Sequence, residues 1–273
     1  MSPSTDPRVA EFYAQTYDES VPDWPGEIAF YQALASDVKG RGQRLLEIAC
    51  GTGRVAIRLA RVGIDTLGLD ISPYMLEVAR QKSKGIKNVK WVQSDMCAFD
   101  LGKTFGLVII PGHAFQNLNT PEEQVACLEC IYRHLDPGGI LVVHLDHQDI
   151  HWLGGLVTDK GGIFEPAGQF QHVRTGRQIR ALRAWSYEPA TQTAACTTCW
   201  EAIGEDGQTV ETWKTEPIRL HCVFRFEMVH LLARVGFILD DVYGDFFRNQ
   251  LEDKSANMIW VAHKAESTGQ VGG

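Results

Sequence analysis

The sequence has no long apolar run. None of its 273 residues belongs to a stretch approaching the roughly 20 apolar residues that a membrane-spanning helix needs. The first residues, MSPSTDPRVAEFY, also lack the basic segment and the apolar segment of a secretory signal. These absences predict a soluble protein of the cytoplasm that does not bind membranes.

A concentration of positive charge is missing as well. The formal net charge is −8, and the Lys and Arg residues are scattered along the chain. Proteins that bind nucleic acids neutralise phosphates with clustered basic residues. The charge pattern therefore predicts that nucleic acid is not a partner.

The seven cysteines do not form a clear metal-binding pattern. Cys127/Cys130 and Cys196/Cys199 have the CxxC spacing found in four-thiolate zinc sites. However, the first pair lies in a predicted amphipathic helix, and the second lies in a predicted strand, where residues three apart point to opposite faces. With no export signal, we expect reduced thiols and no zinc site.

Short apolar strands alternate with helices over the first 150 residues. Strands are predicted at 44–49, 64–69, 89–93, 107–111 and 139–145. This alternation is typical of an α/β fold with a doubly wound, mostly parallel sheet. The segment LDPGG (135–139), just before the last of these strands, is interpreted as a turn.

The pattern changes after residue 150. Polar residues alternate with apolar ones in segments separated by turn sequences, which predicts an antiparallel sheet with strands at 169–174, 178–187, 193–203 and 209–220. A helix at 225–235 and strands at 237–243 and 258–262 follow. The predicted organisation is a helical N-terminal lid (1–40), an α/β core (41–150 and 223–265), an antiparallel β insertion (151–222) and a disordered tail (266–273).

The segment LLEIACGTGRVAI (45–57) carries the main functional signal. Gly51 and Gly53 lie between a predicted strand and a predicted helix, so the chain can turn tightly and a ligand can approach the backbone. A dinucleotide fingerprint would have glycine in place of Ala49 and a third glycine near Val55–Ala56. The turn therefore predicts a ligand site but argues against a bound pyrophosphate.

Acidic residues end the next two predicted strands. Asp70 follows Gly53 by 17 residues, and a carboxylate there can accept hydrogen bonds from both hydroxyls of a ribose. Asp95 can accept a hydrogen bond from an adenine amino group while Met96 packs against the ring. Asp70 alone could also begin a helix cap, and the glycines alone could form an ordinary turn.

The ordered series EIACGTG, GLD, SDM and LDPGG between residues 45 and 146 resembles the motif set of class I S-adenosylmethionine-dependent methyltransferases. The resemblance implies a seven-stranded Rossmann-like sheet with a reversed final strand, and S-adenosylmethionine as cofactor. Ala49 departs from the family, which usually has glycine there. The expected cofactor-binding residues are Tyr17, Glu47, Ala49, Gly51, Gly53, Asp70, Ile71, Met75, Asp95, Met96 and Gly112.

Candidate acceptor-binding residues follow the fourth predicted strand, in the loop PGHAFQNL (111–118). His113 is a candidate general base, because its ordinary pKa lies near neutrality, and Phe115 and Asn117 are candidates to orient an acceptor. His113 could instead have only a structural role. A base is not required if the acceptor is already nucleophilic, since positioning and desolvation supply much of the rate.

Two further groups of residues are candidates for the same site. His144 and Asp146 alternate in the fifth strand and begin a His/Asp cluster that continues with His147, Asp149 and His151. A strand cannot direct all of these side chains to one metal ion, so we expect some, His144 and Asp146 first, to line the acceptor pocket and others to be solvated. Among the N-terminal aromatics, Tyr17 is expected near the transferring methyl group, where an aromatic ring stabilises positive charge. Tyr13 is the second choice and is an equally good candidate for core packing.

The sequence thus predicts transfer of a methyl group from S-adenosylmethionine to an oxygen or nitrogen atom of a small molecule. An N/D-P-P-Y/F-like tetrapeptide is absent where base-amine methylation would need it. The alternatives are an NAD(P)-dependent oxidoreductase and a non-catalytic, cofactor-binding partner subunit. Trp185, Trp200 and Trp213 in the insertion either cover the pocket or mediate a homodimer.

Overall fold

The computed structural model describes residues 4–21, 23–158, 160–172 and 175–266. The helices in these ranges are α1 (Pro7–Ser20), α2 (Glu27–Gly40), α3 (Ala56–Arg61), α4 (Pro73–Lys82), α5 (Pro121–His134), α6 (Ile150–Thr158) and α7 (Arg225–Val235). The strands are β1 (Leu45–Ile48), β2 (Thr66–Asp70), β3 (Val89–Gln93), β4 (Phe105–Ile110), β5 (Leu135–Asp146), β6 (Phe164–Gln171), β7 (Gln178–Glu188), β8 (Thr193–Ile203), β9 (Thr209–Lys214), β10 (Ile218–His221), β11 (Phe237–Tyr243) and β12 (Asn257–Lys264).

Seven strands form the main sheet, in the order β3-β2-β1-β4-β5-β12-β11. The first five run parallel to one another, and β12 runs antiparallel to both of its neighbours. This topology confirms the predicted α/β fold, a doubly wound sheet with a reversed final strand. The LDPGG segment, predicted as a turn, lies inside β5, where the pairing with β4 shifts its register.

The main sheet is buried on both faces. Leu46 of β1 and Val108 of β4 belong to one core cluster, while their neighbours Leu45 and Leu107 belong to the cluster on the other face. Because successive side chains in a strand point to opposite faces, continuous apolar runs such as FGLVII are what a sheet covered on both sides requires. Helix α2 packs on the second of these clusters through Phe30 and neighbouring residues.

A second, antiparallel sheet follows α6 in the chain. Its order is β10-β8-β7-β6, and β9 also pairs with β8. The strand predicted at 209–220 is interrupted, so β9 and β10 pair with successive parts of β8. Pro217 explains the interruption, since proline has no N–H to donate to a strand partner.

Other differences from the predicted insertion are local. Residues 151–158, at the start of the predicted β insertion, belong to helix α6. The first insertion strand begins at Phe164 rather than at residue 169. Residues 173–174 of that predicted strand and 267–273 of the predicted tail lie outside the described residues.

Helix α1 connects the two sheets. Its Phe12 ring stacks on Trp213 of the second sheet with a centroid separation of 3.9 Å, and its Asp18 accepts a hydrogen bond from the Thr52 hydroxyl (2.5 Å) beside β1. The helices in the described ranges all fall short of the length and apolarity needed to cross a membrane.

Candidate active site

A cavity of about 520 Å³ lies between the two sheets and beneath α1. Its main-sheet wall is formed at the carboxyl ends of β1, β2, β3, β4 and β5 and the segments that follow them. Its second-sheet wall is formed by side chains of β7, β8 and β10. Ligands of open α/β sheets bind beyond the carboxyl ends of the strands, which is where this cavity opens.

The glycine turn brings backbone to the cavity. Ala49, Gly51 and Gly53 all have positive φ angles (53°, 54° and 76°), which glycine adopts at little cost. A Cβ atom added at Gly51 would meet nothing within 4 Å, so this glycine leaves room for a ligand. A Cβ at Gly53 would lie 2.5 Å from the Trp91 ring, so Gly53 is required by packing behind the turn.

Asp70 is held at the end of β2 by two backbone donors. The Gly51 N–H donates to its Oδ2 atom (2.7 Å) and the Ser72 N–H donates to its Oδ1 atom (2.8 Å). Burial raises the pKa of the Asp70 carboxyl, and these two hydrogen bonds oppose that rise. Each carboxylate oxygen can still accept a second hydrogen bond, so the residue fits the two hydroxyls of a ribose.

Glu47, in contrast, lies behind the turn. Its side chain does not line the cavity, and the residue is only 2% exposed. Burial raises the pKa of its carboxyl to about 8, while Arg54 and a hydrogen bond from the backbone of Ala56 oppose the rise. Its Oε2 atom has no hydrogen-bond partner among the described residues.

A chain of contacts between polar side chains ends at Asp146. The Gly112 N–H donates to His144 Nδ1 (3.3 Å), so the proton of the neutral His144 ring is on Nε2. His144 Nε2 lies 2.8 Å from Asn257 Oδ1 and 2.9 Å from His113 Nε2. His113 Nε2 is then an acceptor, and His113 Nδ1 carries its proton 3.3 Å from Asp146 Oδ1.

Burial controls the protonation of this chain. It lowers the pKa of His113, against the opposing effect of Asp146, and it lowers the pKa of His144 well below its usual value, with His113 adding to the effect. The Trp24 ring packs edge-on against both imidazoles, at centroid separations of 5.1 and 4.9 Å. Burial raises the pKa of the Asp146 carboxyl, and His113 opposes that rise. Both imidazoles are therefore neutral near pH 7.

Tyr13 and Tyr17 of α1 line the cavity together, with ring centroids 5.7 Å apart. Burial raises the pKa of both phenols, so both keep their protons and can donate hydrogen bonds. Helix α1 is amphipathic enough to place Phe12 in the core on one side and the two tyrosines at the cavity on the other.

The structure brings most of the predicted site residues to this cavity. Those that line it are Tyr13, Tyr17, Ala49, Gly51, Asp70, Ile71, Met75, Asp95, Met96, Gly112, His113, Asn117 and Asp146. Glu47, Gly53, Phe115 and His144 do not line it. Phe115 is fully buried in the main core and His144 is fully buried beneath His113, so neither side chain faces the cavity.

Several residues that line or support the site were not predicted from the sequence, among them Asn257, Gln116 and Arg183. Asn257, on β12, reaches His144 because β12 pairs with β5 at Asn257↔Asp146. Gln116 accepts a hydrogen bond from the Asp146 N–H (2.9 Å) and so positions that residue. Arg183 lies in the second-sheet wall. The alternation of side chains along β7 is the only sequence signal for Arg183. That alternation does not show which face of the second sheet lines the cavity.

The remaining candidate metal ligands are separated. His147 Nδ1 lies 2.8 Å from the Ser255 carbonyl oxygen, and Asp149 accepts the N–H groups of His151 and Trp152 near the start of α6. Among the described residues, no group of three or more His, Cys, Asp or Glu side chains is arranged to hold a metal ion.

Comparison with known proteins defines the class. Residues 45–139 match the family model of a methyltransferase domain. An uncharacterized methyltransferase of Synechocystis is 30% identical over 183 residues, which cover 58% of this chain and 84% of that protein. The CcbJ methyltransferase from Streptomyces caelestis superposes with a TM-score of 0.76 and 25% identity, over 93% of this chain and 96% of that one.

A third relative is the dTDP-3-amino-3,4,6-trideoxy-alpha-D-glucopyranose N,N-dimethyltransferase of Streptomyces venezuelae. It is 34% identical over 120 residues, covering 41% of this chain and 49% of that protein. The chain spans about half the length of the first curated relatives that it matches (52% and 49%). Solved neighbours of the same fold contain S-adenosylmethionine.

The matches to known proteins and the geometry of the site indicate the same family. The chain belongs to the S-adenosylmethionine-dependent methyltransferases, a family of enzymes whose methyl donor is S-adenosylmethionine. S-adenosylmethionine is therefore its cofactor, and the incomplete dinucleotide fingerprint around Gly53 is consistent with this.

Proposed function

We propose that this protein transfers the methyl group of S-adenosylmethionine to the nitrogen atom of a small-molecule amine bound in the cavity between the two sheets. The observation that carries the proposal is the chain from Asn257 through His144 and His113 to Asp146, which presents a carboxylate at the cavity. A volume of about 520 Å³ is within the range of small-molecule sites, roughly 300–1,000 Å³.

The main-sheet wall would hold the cofactor. Asp70 accepts hydrogen bonds from the ribose hydroxyls, and the backbone from Ala49 to Gly51 contacts the methionine part. Asp95 accepts from the adenine amino group while Ile71 and Met96 pack against the ring. Tyr17 lies over the sulfonium, where its ring favours the positive charge of the transferring methyl group.

Asp146 is then placed to contact the amine. Its carboxylate lines the cavity and lies 3.3 Å from His113 Nδ1, and its backbone N–H donates to Gln116 Oε1, while each ring nitrogen of His113 already faces a partner. In this arrangement Asp146 accepts a hydrogen bond from the acceptor N–H, directs the nitrogen lone pair at the methyl carbon and takes up the released proton. His113 acts by positioning Asp146, because neither of its ring nitrogens is free to take up a proton from the acceptor.

A carboxylate suits nitrogen better than oxygen. A neutral amine is already nucleophilic and needs only orientation and a place for its proton, whereas an alcohol needs a stronger base to form its nucleophile. The name of the Streptomyces venezuelae relative, an amino-sugar N,N-dimethyltransferase, supports the same choice. Amino sugars are therefore the first acceptors to test.

The experiment is methyl transfer from labelled S-adenosylmethionine to amino sugars and to the matching sugars with hydroxyl in place of the amine. We expect label only with the amines, and a rate reduced about 100-fold or more in Asp146→Asn, since positioned acid–base groups contribute roughly 10²–10⁴. The affinity for S-adenosylmethionine should stay the same. Label only with hydroxyl acceptors, or full activity in Asp146→Asn, would contradict the proposal, and no transfer at all would favour a non-catalytic subunit.

A further inference from the structure

One face of the second sheet forms the cavity wall opposite Asp146. Arg183 and Trp185 alternate on β7 and point to this face, and their partners across β8 are Thr198 and Cys196. On β10, Ile218 pairs with Cys196 and extends the same face. Among the described residues lining the cavity from this sheet, Arg183 is the one with a charged side chain.

Arg183 has no ion-pair partner within the described parts of the chain. Other arginines of the second sheet do: Arg180 lies 2.6 Å from Glu201, and Arg219 lies 2.9 Å from Glu188. A partly buried guanidinium group without a counter-charge is unfavourable, because desolvation is not compensated. Arg183 lines a ligand cavity, so a bound anion would compensate for the desolvation of its guanidinium group.

The carboxylates that line the cavity all have partners other than Arg183. Asp70 accepts two backbone N–H groups, Asp95 accepts the Cys97 N–H (2.8 Å), and Glu123 accepts the N–H groups of Asn119 and Thr120. Asp146 lies beside His113. Arg183 is instead close to Tyr13, where its charge lowers the pKa of the phenol against the larger effect of burial.

We propose that Arg183 binds an oxyanion of the acceptor, so that the acceptor carries a carboxylate or a phosphate in addition to its amine. A guanidinium group binds both kinds of oxyanion through paired N–H donors. Thr198, directly across from Arg183, adds a hydroxyl to the same part of the wall. That the amine lies at Asp146 rests on the proposed function, but the anion site at Arg183 does not.

The experiment measures binding to the protein saturated with S-adenosylhomocysteine. Two matched pairs of probes are titrated: glucosamine with glucosamine 6-phosphate, and n-butylamine with 4-aminobutyrate. Because Trp185 and Trp200 line the cavity, tryptophan fluorescence can report binding, with calorimetry as confirmation. We expect the anionic member of at least one pair to bind about 10- to 100-fold more tightly, as for a hydrogen bond to a charged group. The pair that shows the preference distinguishes phosphate from carboxylate.

Arg183→Met should remove this preference without changing the affinity for S-adenosylmethionine. Arg183→Lys, which keeps the charge, should retain part of it and shows that loss is not due to misfolding. Arg180→Met is the matched control, since Arg180 is on the same strand but pairs with Glu201 outside the cavity, and it should behave as the wild type.

Three results would overturn the proposal: no preference in either pair, a preference that persists in Arg183→Met, or a loss of S-adenosylmethionine affinity in that variant. The last would assign Arg183 to the carboxylate of the cofactor. Methyl transfer to the probes is recorded separately. If no amine is methylated but the binding preference depends on Arg183, the proposed function fails and the anion site stands.

Discussion

The two walls of the cavity are built in different ways. The main-sheet wall takes its residues from the carboxyl ends of neighbouring parallel strands, so Gly51, Asp70 and Asp95 meet because β1, β2 and β3 lie side by side. The second-sheet wall takes its residues from the register of an antiparallel sheet, where Arg183 meets Thr198. A short motif can define the first wall, but only the strand pairing defines the second.

The walls also differ in how their polar groups are held. Asp70 and Asp95 accept backbone N–H groups from residues next to them in the chain or in the glycine turn, which fixes their carboxylates before any ligand binds. The second-sheet wall is mostly apolar, and its Arg183 has no ion-pair partner in the described ranges. This contrast suits one wall to an invariant cofactor and the other to the choice of acceptor.

The largest expected effect concerns the stability of the second-sheet wall. Trp200 is 2% exposed and is the largest side chain of a small cluster with Phe12 and Ile179. Trp200→Ala should lower the free energy of unfolding by about 3–5 kcal/mol, as expected for removing a buried aromatic ring. Denaturant unfolding tests this, with Trp152→Ala as control, because Trp152 is 41% exposed. An equal loss in both variants would contradict it.

The next effect concerns the main-sheet wall. Asp70→Asn should weaken the binding of S-adenosylmethionine by about 1.5–3 kcal/mol, because hydrogen bonds to a charged acceptor become hydrogen bonds to a neutral one. Calorimetric titration measures the change. Asp240→Asn serves as control, since Asp240 pairs with His263 and does not line the cavity. Unchanged affinity in Asp70→Asn would mean that the ribose assignment is wrong.

The sequence predicted the main-sheet wall well because its signals are local. The turn at Gly51 and the cap at Ser72, whose side chain accepts the Met75 N–H, involve residues only a few positions apart. The strands that these residues follow, β1 and β2, are consecutive in the chain and are neighbours in the parallel sheet. Glu47 shows the limit of this reasoning, since a motif residue can lie buried behind the turn without lining the cavity.

The other features of the site depend on contacts between residues that are far apart in the sequence. Asn257 reaches His144 only through the pairing of β12 with β5, and Phe115 turns into the core because of how the loop after β4 folds. Arg183 belongs to a strand with apolar and polar residues on both faces, so the sequence does not show which face is covered. Non-local pairing of this kind leaves no mark in a single sequence.

A further effect is expected from Glu47, and it depends on pH. The pKa of its carboxyl is about 8 in the folded protein and near 4.5 when unfolded, so the folded state binds the proton more tightly. The stabilisation from the protonated group is complete below pH 4.5 and is lost as the pH rises to 8, by up to about 1.4 kcal/mol per pH unit. Glu47→Gln should lack this part of the pH dependence. Unfolding at pH 5, 6.5 and 8 measures it, and identical slopes in both proteins would contradict the prediction.

The smallest expected effect concerns α1, which spans both walls. Asp18 accepts a hydrogen bond from the Thr52 hydroxyl and pairs with Lys82 of α4, but the side chains of Asp18 and Lys82 are 39% and 33% exposed. Exposed ion pairs contribute little, so Asp18→Asn should lower the free energy of unfolding by less than about 1 kcal/mol.

The release of S-adenosylmethionine should respond more than stability does, because Tyr17, next to Asp18, covers the cavity on the same helix. Stopped-flow dissociation should be several-fold faster in Asp18→Asn and unchanged in Asp37→Asn, which alters an exposed carboxylate of α2. A loss of stability with an unchanged dissociation rate would mean that Asp18 only anchors the helix. Faster release would show that the contact between α1 and the main-sheet wall limits the dissociation of the cofactor.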